Sequence, residues 1–237
     1  MRIEILPDAE TACRRGAAWI VAEARAAIAA RGRFVLAASG GKNPWNMFRA
    51  LAEEEIDWAK VEIVQVDERV APDGDAARNL THLQECLLEY APLRSEQIHA
   101  MPVTDPDLRA AAGRYARTLE QLAGPQPVID LVHLGLGPDG HTASLVPGDP
   151  VLEVVGVDVA VTGVYQGHRR MTLTYPILDR ARSILWLITD ESKADALLRL
   201  SKGDPTIPAG RIARDHACVL ADRAAAARLG PTAAVQE

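Results

Sequence analysis

The 237-residue sequence predicts an α/β fold: a doubly wound, mostly parallel, Rossmann-like sheet with helices on both faces. Three observations predict it. Short apolar runs alternate with longer stretches of helical spacing along the chain. The apolar runs, such as FVLAAS (34–39) and SILWLIT (183–189), lack a period of two, as strands covered on both faces do. The unusual polar loops all follow such runs, and in a parallel sheet the carboxyl ends of the strands lie along one edge.

RIEIL (2–6) reads as the first strand. Asp8 or Thr11 caps the helix after it, in which Cys13, Ala17, Ile20, Val21, Ala24 and Ile28 recur at helical spacing and which Gly32 ends. FVLAAS is the next strand and GGKNPW (40–45) a glycine-rich turn. Asn43 before Pro44 predicts an N-cap with proline at the first helical position, and so a helix over 44–54. VEIVQVD (61–67) is a strand and ERVAPDGDAA (68–77) a loop. Asn79 is then expected to cap the helix LTHLQECLLEY (80–90). QIHAMPV (97–103) reads as a strand, 105–123 as a helix, and VIDLVHLGLG (128–137) as a strand. VDVAVTGV (157–164) and MTLTY (171–175) read as strands and YPILDRA (175–181) as a helical turn. SILWLIT is a strand, ESKADALLRLS (191–201) a helix, ACVLAD (217–222) the last strand and RAAAARL (223–229) the last helix. Residues 149–170 are the least regular and are expected to form a flap. No repeat or long linker interrupts the pattern, so a single domain over 1–237 is expected.

Composition narrows the function classes. Aromatic residues are only 4%, so the core must be built from Ala, Val, Leu and Ile. A formal net charge of -6 disfavours nucleic acid and anionic membrane as partners. An anionic ligand would have to be met by a local cluster of cations. No apolar stretch approaches membrane-spanning length, and the charged start MRIEILPDAE is unlike a signal peptide. Cys13, Cys86 and Cys218 are far apart and odd in number, which reads as buried free thiols in a reducing compartment. A cytoplasmic protein is expected; the sequence sets no oligomeric state.

Four segments carry candidate chemistry. In SGGKNP (39–44), Gly40 and Gly41 admit close approach of a ligand, the following helix start favours an anion, and Lys42 adds a charge. The same residues also suit an ordinary strand-to-helix turn. In VDERVAPDGDAARN (66–79), Arg69 suits a phosphate or sugar hydroxyl and Asp67 or Glu68 suits orienting it; a solvated charged loop is the other reading. In GPDGHTASLVPG (137–148), His141 is a candidate acid or base with Asp139 two residues before it, and Ser144 is expected to cap a helical turn that aims amides at the ligand. In the second half, Arg170 leads into a strand, Lys193 lies near a helix start, Arg169 reads as surface charge, and Arg211 of IPAGRI (207–212) is a candidate for the same edge. His82, His99, His133 and His216 read as packing or surface residues, and His168 is unassigned. No HxH, HxxxH or Cys/His cluster suggests a metal, and no GxSxG elbow suggests a serine nucleophile.

In this order, SGGKNP, DERVAP with Asn79, GLGPDGHTASLVPG, RMTLT and Lys193-Ala194 resemble the 6-phosphogluconolactonases, across most of residues 34–212. DGHTASL-x-PG is the most specific part. The wider superfamily holds glucosamine-6-phosphate deaminase and ribose-5-phosphate isomerase. The resemblance implies a Rossmann-like sheet, no cofactor, no metal, and a small sugar phosphate lactone as the partner. It implies hydrolysis of 6-phospho-D-glucono-1,5-lactone to 6-phosphogluconate in the oxidative pentose phosphate pathway, with His141 as base and Asp139 holding its tautomer. It implies substrate contacts from Gly40, Gly41, Lys42, Arg69, Arg170 and Lys193 around the phosphate, and from Asp67, Asn79, Gly137, Gly140 and Ser144 elsewhere. Three positions depart from the family's usual pattern. Lys42-Asn43 stands where hydroxyl residues are usual, Val146 replaces Phe, and TDES lacks the glycine common before the later lysine. The deaminase pattern has a glutamate where this chain has Val146, and DEY where this chain has DER, so the lactonase is the expected activity. A non-catalytic sugar-phosphate sensor is the reading from another class. It usually carries a DNA-binding module, for which the sequence between its first strand and the segment after its last leaves no expected room.

Overall fold

In a computed structural model of the chain, which describes residues 1–230, β1 (Arg2–Leu6) enters first. Helix α1 (Ala9–Arg31) follows, its first turn capped by the Asp8 carboxylate, which accepts from the Thr11 N–H, and its end set by Gly32 at φ 77°. Next come β2 (Phe34–Ala38), α2 (Lys42–Ala52), β3 (Val61–Gln65), β4 (Asp67–Arg69), α3 (Asn79–Leu83) and β5 (Ile98–His99). The second half holds α4 (Leu108–Ala123), β6 (Leu131–Leu134), β7 (Val159–Val161), β8 (Arg170–Leu173), α5 (Tyr175–Asp179), β9 (Ser183–Ile188), α6 (Ala194–Lys202) and β10 (Ala217–Asp222).

Seven strands form one parallel sheet in the order β1-β10-β9-β6-β2-β3-β5. Alternate residues of each strand feed two cores. Phe34, Leu36, Leu131, Leu185 and Leu220 pack against α1, α2 and the α3 region; Val35, Val132, Ile184, Trp186 and Val219 pack against α4, α5 and α6. Both faces are apolar, which is why no period of two is visible in the sequence. From β2 the chain runs outward to β3 and β5, then crosses back to β6 on the other side of β2. The crevice at this reversal is where an open parallel sheet binds ligands.

Several expectations are corrected. A second sheet of three antiparallel strands, β4-β8-β7, stands beside the first. Val66 is the crossing point: its N–H donates to Ala38 of the large sheet, and its carbonyl accepts from Leu173 of the small one. Glu68 and Arg69, expected to open a loop, therefore belong with Asp67 to a strand. Asn43 and Asn79 lie inside their helices and cap neither. Each side chain is taken by a tertiary partner instead, described below. The helix at 80–90 changes after Leu83 into a wider turn over Gln84–Leu88. Of 97–103 only two residues pair, and 223–229 forms a single tight turn, Ala225–Arg228. Much of the expected flap is anchored. Val151 and Val159 are core residues, while 155–157 and the tip around 163–169 are largely exposed. The cysteines are free and buried, with burial pushing Cys13 and Cys218 up to about 11 and Cys86 to about 12.

His133 of β6 is wholly buried, edge-on to Phe48 at 5.4 Å, and neither ring nitrogen has a partner. Burial pushes it down to about 3. The unfolded chain binds this proton below its ordinary value of 6.5, and the folded chain only below about 3. Acid therefore favours unfolding across that window. Between pH 7 and pH 5 this one group should remove about 2 kcal/mol of stability, and His133→Leu should abolish that share. Urea midpoints of both proteins at the two pH values test it. Equal losses in the two would show that His133 is not the acid-sensitive group.

Candidate active site

The four central strands β9, β6, β2 and β3 send their carboxyl-terminal loops to one cleft of about 380 Å³. Its walls are Ser39–Pro44 after β2, Asp67, Arg69 and Asn79 after β3, Gly135–Gly137 and His141 after β6, and Thr189, Asp190 and Lys193 after β9. Arg170 reaches it from the small sheet.

In the first loop the chain must pass close to a neighbour. A Cβ at Gly40 would lie 2.0 Å from Asn79 Oδ1, and Gly41 takes φ 130°. Both positions therefore exclude larger residues. Lys42 opens α2, where unpaired N–H groups and the helix dipole already favour an anion. Asn43 donates through Nδ2 to Thr189 Oγ1 and ties this loop to the one after β9.

The second loop is organised by Glu68, one of the two carboxylates expected only to orient a ligand contact. Glu68 is fully buried. Its carboxylate accepts from the backbone N–H groups of Arg69, Asn79 and Leu80 at 2.7–2.8 Å and from Gln65 Nε2 at 2.9 Å, and it pairs with buried Arg78 at 3.1 Å. It thus holds the two ends of the loop together. Asn79 Nδ2 donates to the Asp67 carbonyl at 2.9 Å, and Asn79 Oδ1 accepts from Arg69 Nη1 at 2.8 Å, which aims the guanidinium at the cleft. Burial pushes the Asp67 carboxyl up, against the opposing pull of Arg69, Ser144 and Arg170.

In the third loop His141 Nδ1 meets Asp139 Oδ1 at 2.5 Å, and the His141 N–H donates to the same oxygen at 3.2 Å. Gly137 makes room for this pair: a Cβ there would lie 2.0 Å from His141 Nδ1 and 2.5 Å from Asp139 Oδ1. Burial acts to raise the Asp139 carboxyl. The hydrogen bonds from His141, the imidazole's charge and the Tyr165 hydroxyl outweigh it and hold Asp139 below the ordinary carboxylate range. With Nδ1 occupied, Nε2 is the nitrogen left for a substrate proton.

Four cations serve the cleft: Lys42, Arg69, Arg170 and Lys193. Burial lowers Lys193, partly offset by Asp139 and Asp190. Burial lowers Arg170 too, with Arg69 as a like charge nearby, while Asp67 and Tyr165 act against both. The buried Nε atoms of Arg69 and Arg170 have no protein partner.

Not every expected residue lines the cleft. Ser144 caps no helix. It is buried behind the wall, its Oγ donating to Asp67 Oδ2 at 2.6 Å. Gly140 lies against Ile207 at φ 84° and shapes the turn that presents His141. Asp139 stands behind His141. Arg211 points away, to Glu153 at 3.1 Å and the Pro205 carbonyl. Tyr165 is the site-supporting residue that motif reading passes over, because its partner Asp139 comes from another segment. Glu68, expected only as a carboxylate suited to orienting Arg69, anchors the loop's main chain instead. Among the described residues, no three His, Cys, Asp or Glu side chains group as metal ligands, and no helix is long and apolar enough to cross a membrane.

Comparison with known proteins follows the same lines. The family described as "Glucosamine-6-phosphate isomerases/6-phosphogluconolactonase" matches residues 7–221. A 6-phosphogluconolactonase of Mycobacterium tuberculosis is 37% identical over 96% of this chain and 98% of its own. The solved structure of the 6-phosphogluconolactonase from Trypanosoma cruzi superposes with a TM-score of 0.86 at 24% identity, covering 96% of both chains. A monomeric glucosamine-6-phosphate deaminase superposes at 0.84 with 19% identity, covering 96% of this chain and all of its own. The two activities thus share this fold.

Proposed function

We propose, on the premise that this chain belongs to the glucosamine-6-phosphate isomerase/6-phosphogluconolactonase family, that it is a 6-phosphogluconolactonase with His141 as the general base. It hydrolyses 6-phospho-D-glucono-1,5-lactone to 6-phosphogluconate, the lactone-opening step of the oxidative pentose phosphate pathway. One observation carries the reading. A single cleft brings the Asp139–His141 pair together with Lys42, Arg69, Arg170 and Lys193.

The substrate is an activated cyclic ester, so its hydrolysis asks for neither a metal nor a covalent nucleophile. Neutral His141 takes a proton through Nε2 from a water attacking the C1 carbonyl. Asp139 holds the ring in the tautomer that leaves Nε2 free and stabilises the imidazolium that forms. Backbone amides of the glycine-rich loop, or a cleft arginine, stabilise the oxyanion. The imidazolium then protonates the departing ring oxygen, which returns the base to its starting state. The cations hold the phosphate and set the lactone in register, so the water meets C1 in the right geometry. At the position where the deaminase pattern places a glutamate, Val146 offers no proton carrier.

The test couples glucose-6-phosphate dehydrogenase, which makes the lactone in place, to 6-phosphogluconate dehydrogenase. The second NADPH is followed with and without this protein. An accelerated second step is expected. A rate left at background, with the folded protein bound to the sugar phosphate, would turn the reading to a sensor. Ammonia release from glucosamine-6-phosphate would turn it to the deaminase. In the same assay Arg69→Ala should raise KM about 10- to 100-fold, the worth of a charged hydrogen bond, and change kcat far less. An unchanged KM would remove Arg69 from the phosphate site.

A further inference from the structure

We propose that Tyr165 is a positioning residue for the base. From a hairpin outside the histidine loop, it fixes the carboxylate that orients His141. The proposal rests on the lactonase reading above and extends it to a residue no motif assigns.

Asp139 is held by both oxygens. Oδ1 faces His141 Nδ1 at 2.5 Å, and Oδ2 accepts from the Tyr165 hydroxyl at 3.0 Å. The Tyr165 ring also meets the imidazole edge-on, with centroids 5.5 Å apart. Arg170, one of the cleft cations, lies 5.0 Å from the centre of the tyrosine ring. Its Nη2 stands 3.5 Å from the Tyr165 carbonyl and from Gln166 Oε1. The aromatic ring is thus shared between the base and a cation of the proposed phosphate site.

The backbone beneath Tyr165 is tight. Tyr165 and His168 exchange both main-chain hydrogen bonds, at 3.0 and 3.2 Å, around Gln166 at φ 50° and Gly167 at φ 84°. Two successive positive φ angles are the mark of a two-residue hairpin turn of the primed kind. Such a turn sets the direction of the residue before it.

A carboxylate held at one oxygen turns about its own bond. Held at both, it keeps one plane, and the imidazole it grips keeps one plane too. Partners of this kind are what hold a reacting group in productive geometry. The phenol has an electronic effect as well. By donating to Oδ2 it draws charge from the carboxylate and weakens the hold on an imidazolium. The charged and titratable groups facing the pair are Lys193, which acts on Asp139, Tyr165 itself, and Arg170 beyond its ring. Removing the hydroxyl should therefore make His141 easier to protonate.

Tyr165→Phe tests this, since it keeps the ring and its contacts with His141 and Arg170. Expected are a roughly tenfold lower kcat, a KM within about twofold, and an acidic limb of kcat/KM moved up by about 0.3–0.5 pH units. A titration of the His141 ring by proton NMR, without substrate, should show the same upward displacement. In an Asp139→Asn background the phenylalanine should cost nothing further. The proposal is overturned by wild-type kcat and titration in Tyr165→Phe, or by a tenfold loss that persists beside Asp139→Asn. The titration also separates two failures. If wild type opens no lactone yet the displacement appears, the activity reading falls and the positioning role stands.

Discussion

His141→Ala should lower kcat for lactone opening by about 10²–10⁴-fold, the usual worth of a positioned acid–base group, while KM stays within a few fold. That loss corresponds to roughly 3–5 kcal/mol of transition-state stabilisation. The direction follows from the geometry. The imidazole is partly exposed on a turn at the cleft, and Asp139 holds it only through Nδ1 and the main chain. Truncation removes the proton acceptor and leaves the four cations in place. Binding and chemistry should therefore separate. The coupled assay at several lactone concentrations, from neutral to mildly acidic pH, reads both parameters. The lactone opens slowly by itself, so the enzyme-free rate must be subtracted at each pH. A variant within threefold of wild-type kcat would strip His141 of its role and move the search to a water held by the carboxylate itself. A large rise in KM with kcat preserved would make it a substrate contact.

Glu68→Ala should be the most destabilising single change at the site, at about 3–5 kcal/mol, because it takes from the buried Arg78 its buried carboxylate and from the loop its shared acceptor. Arg78, only 3% exposed, would keep just the exposed Asp73 carboxylate and the Ala71 carbonyl, and three backbone N–H groups would lose their acceptor. Melting should fall by roughly 10 °C for a chain of this size. The same carboxylate anchors the main chain of Arg69 and Asn79, so KM should rise together with the loss of stability. Calorimetry checks the first effect and the coupled assay at reduced temperature the second. A melting point within 2 °C of wild type would mean that Asp73, with water, is enough to hold Arg78. Stability lost without a change in KM would mean that the loop keeps Arg69 in position by other bonds.

These effects were unevenly legible in the sequence. The long helices α1 and α4 are written in local periodicity and ended by glycines, so their limits fall close to expectation. The loops after β2, β3 and β6 stand out because glycines and charges follow directly on apolar runs. Parallel topology then makes them converge, since all strand ends lie on one edge. The Asp139–His141 contact spans two residues and could be anticipated for that reason. The Ser144 hydroxyl could not, for its partner Asp67 is 77 positions away. The same holds for the expected caps. Asn43 and Asn79 both read as N-caps by type and position, yet each amide finds a stronger tertiary claim, Thr189 in one case and Asp67 with Arg69 in the other. Capping is worth about 1 kcal/mol, which a buried network easily exceeds.

What the sequence determined by itself is the set of local conformations and the edge on which the polar loops must gather. Hydrophobic period, glycine freedom and strand direction act over a few residues and leave their mark there. Only the tertiary structure decided the second sheet, the burial of Glu68, the orphaned ring of His133 and the grip of Tyr165 on Asp139. Each depends on which distant segments meet. A charged or aromatic residue looks the same in sequence whether its partner is solvent or a group brought in from across the fold.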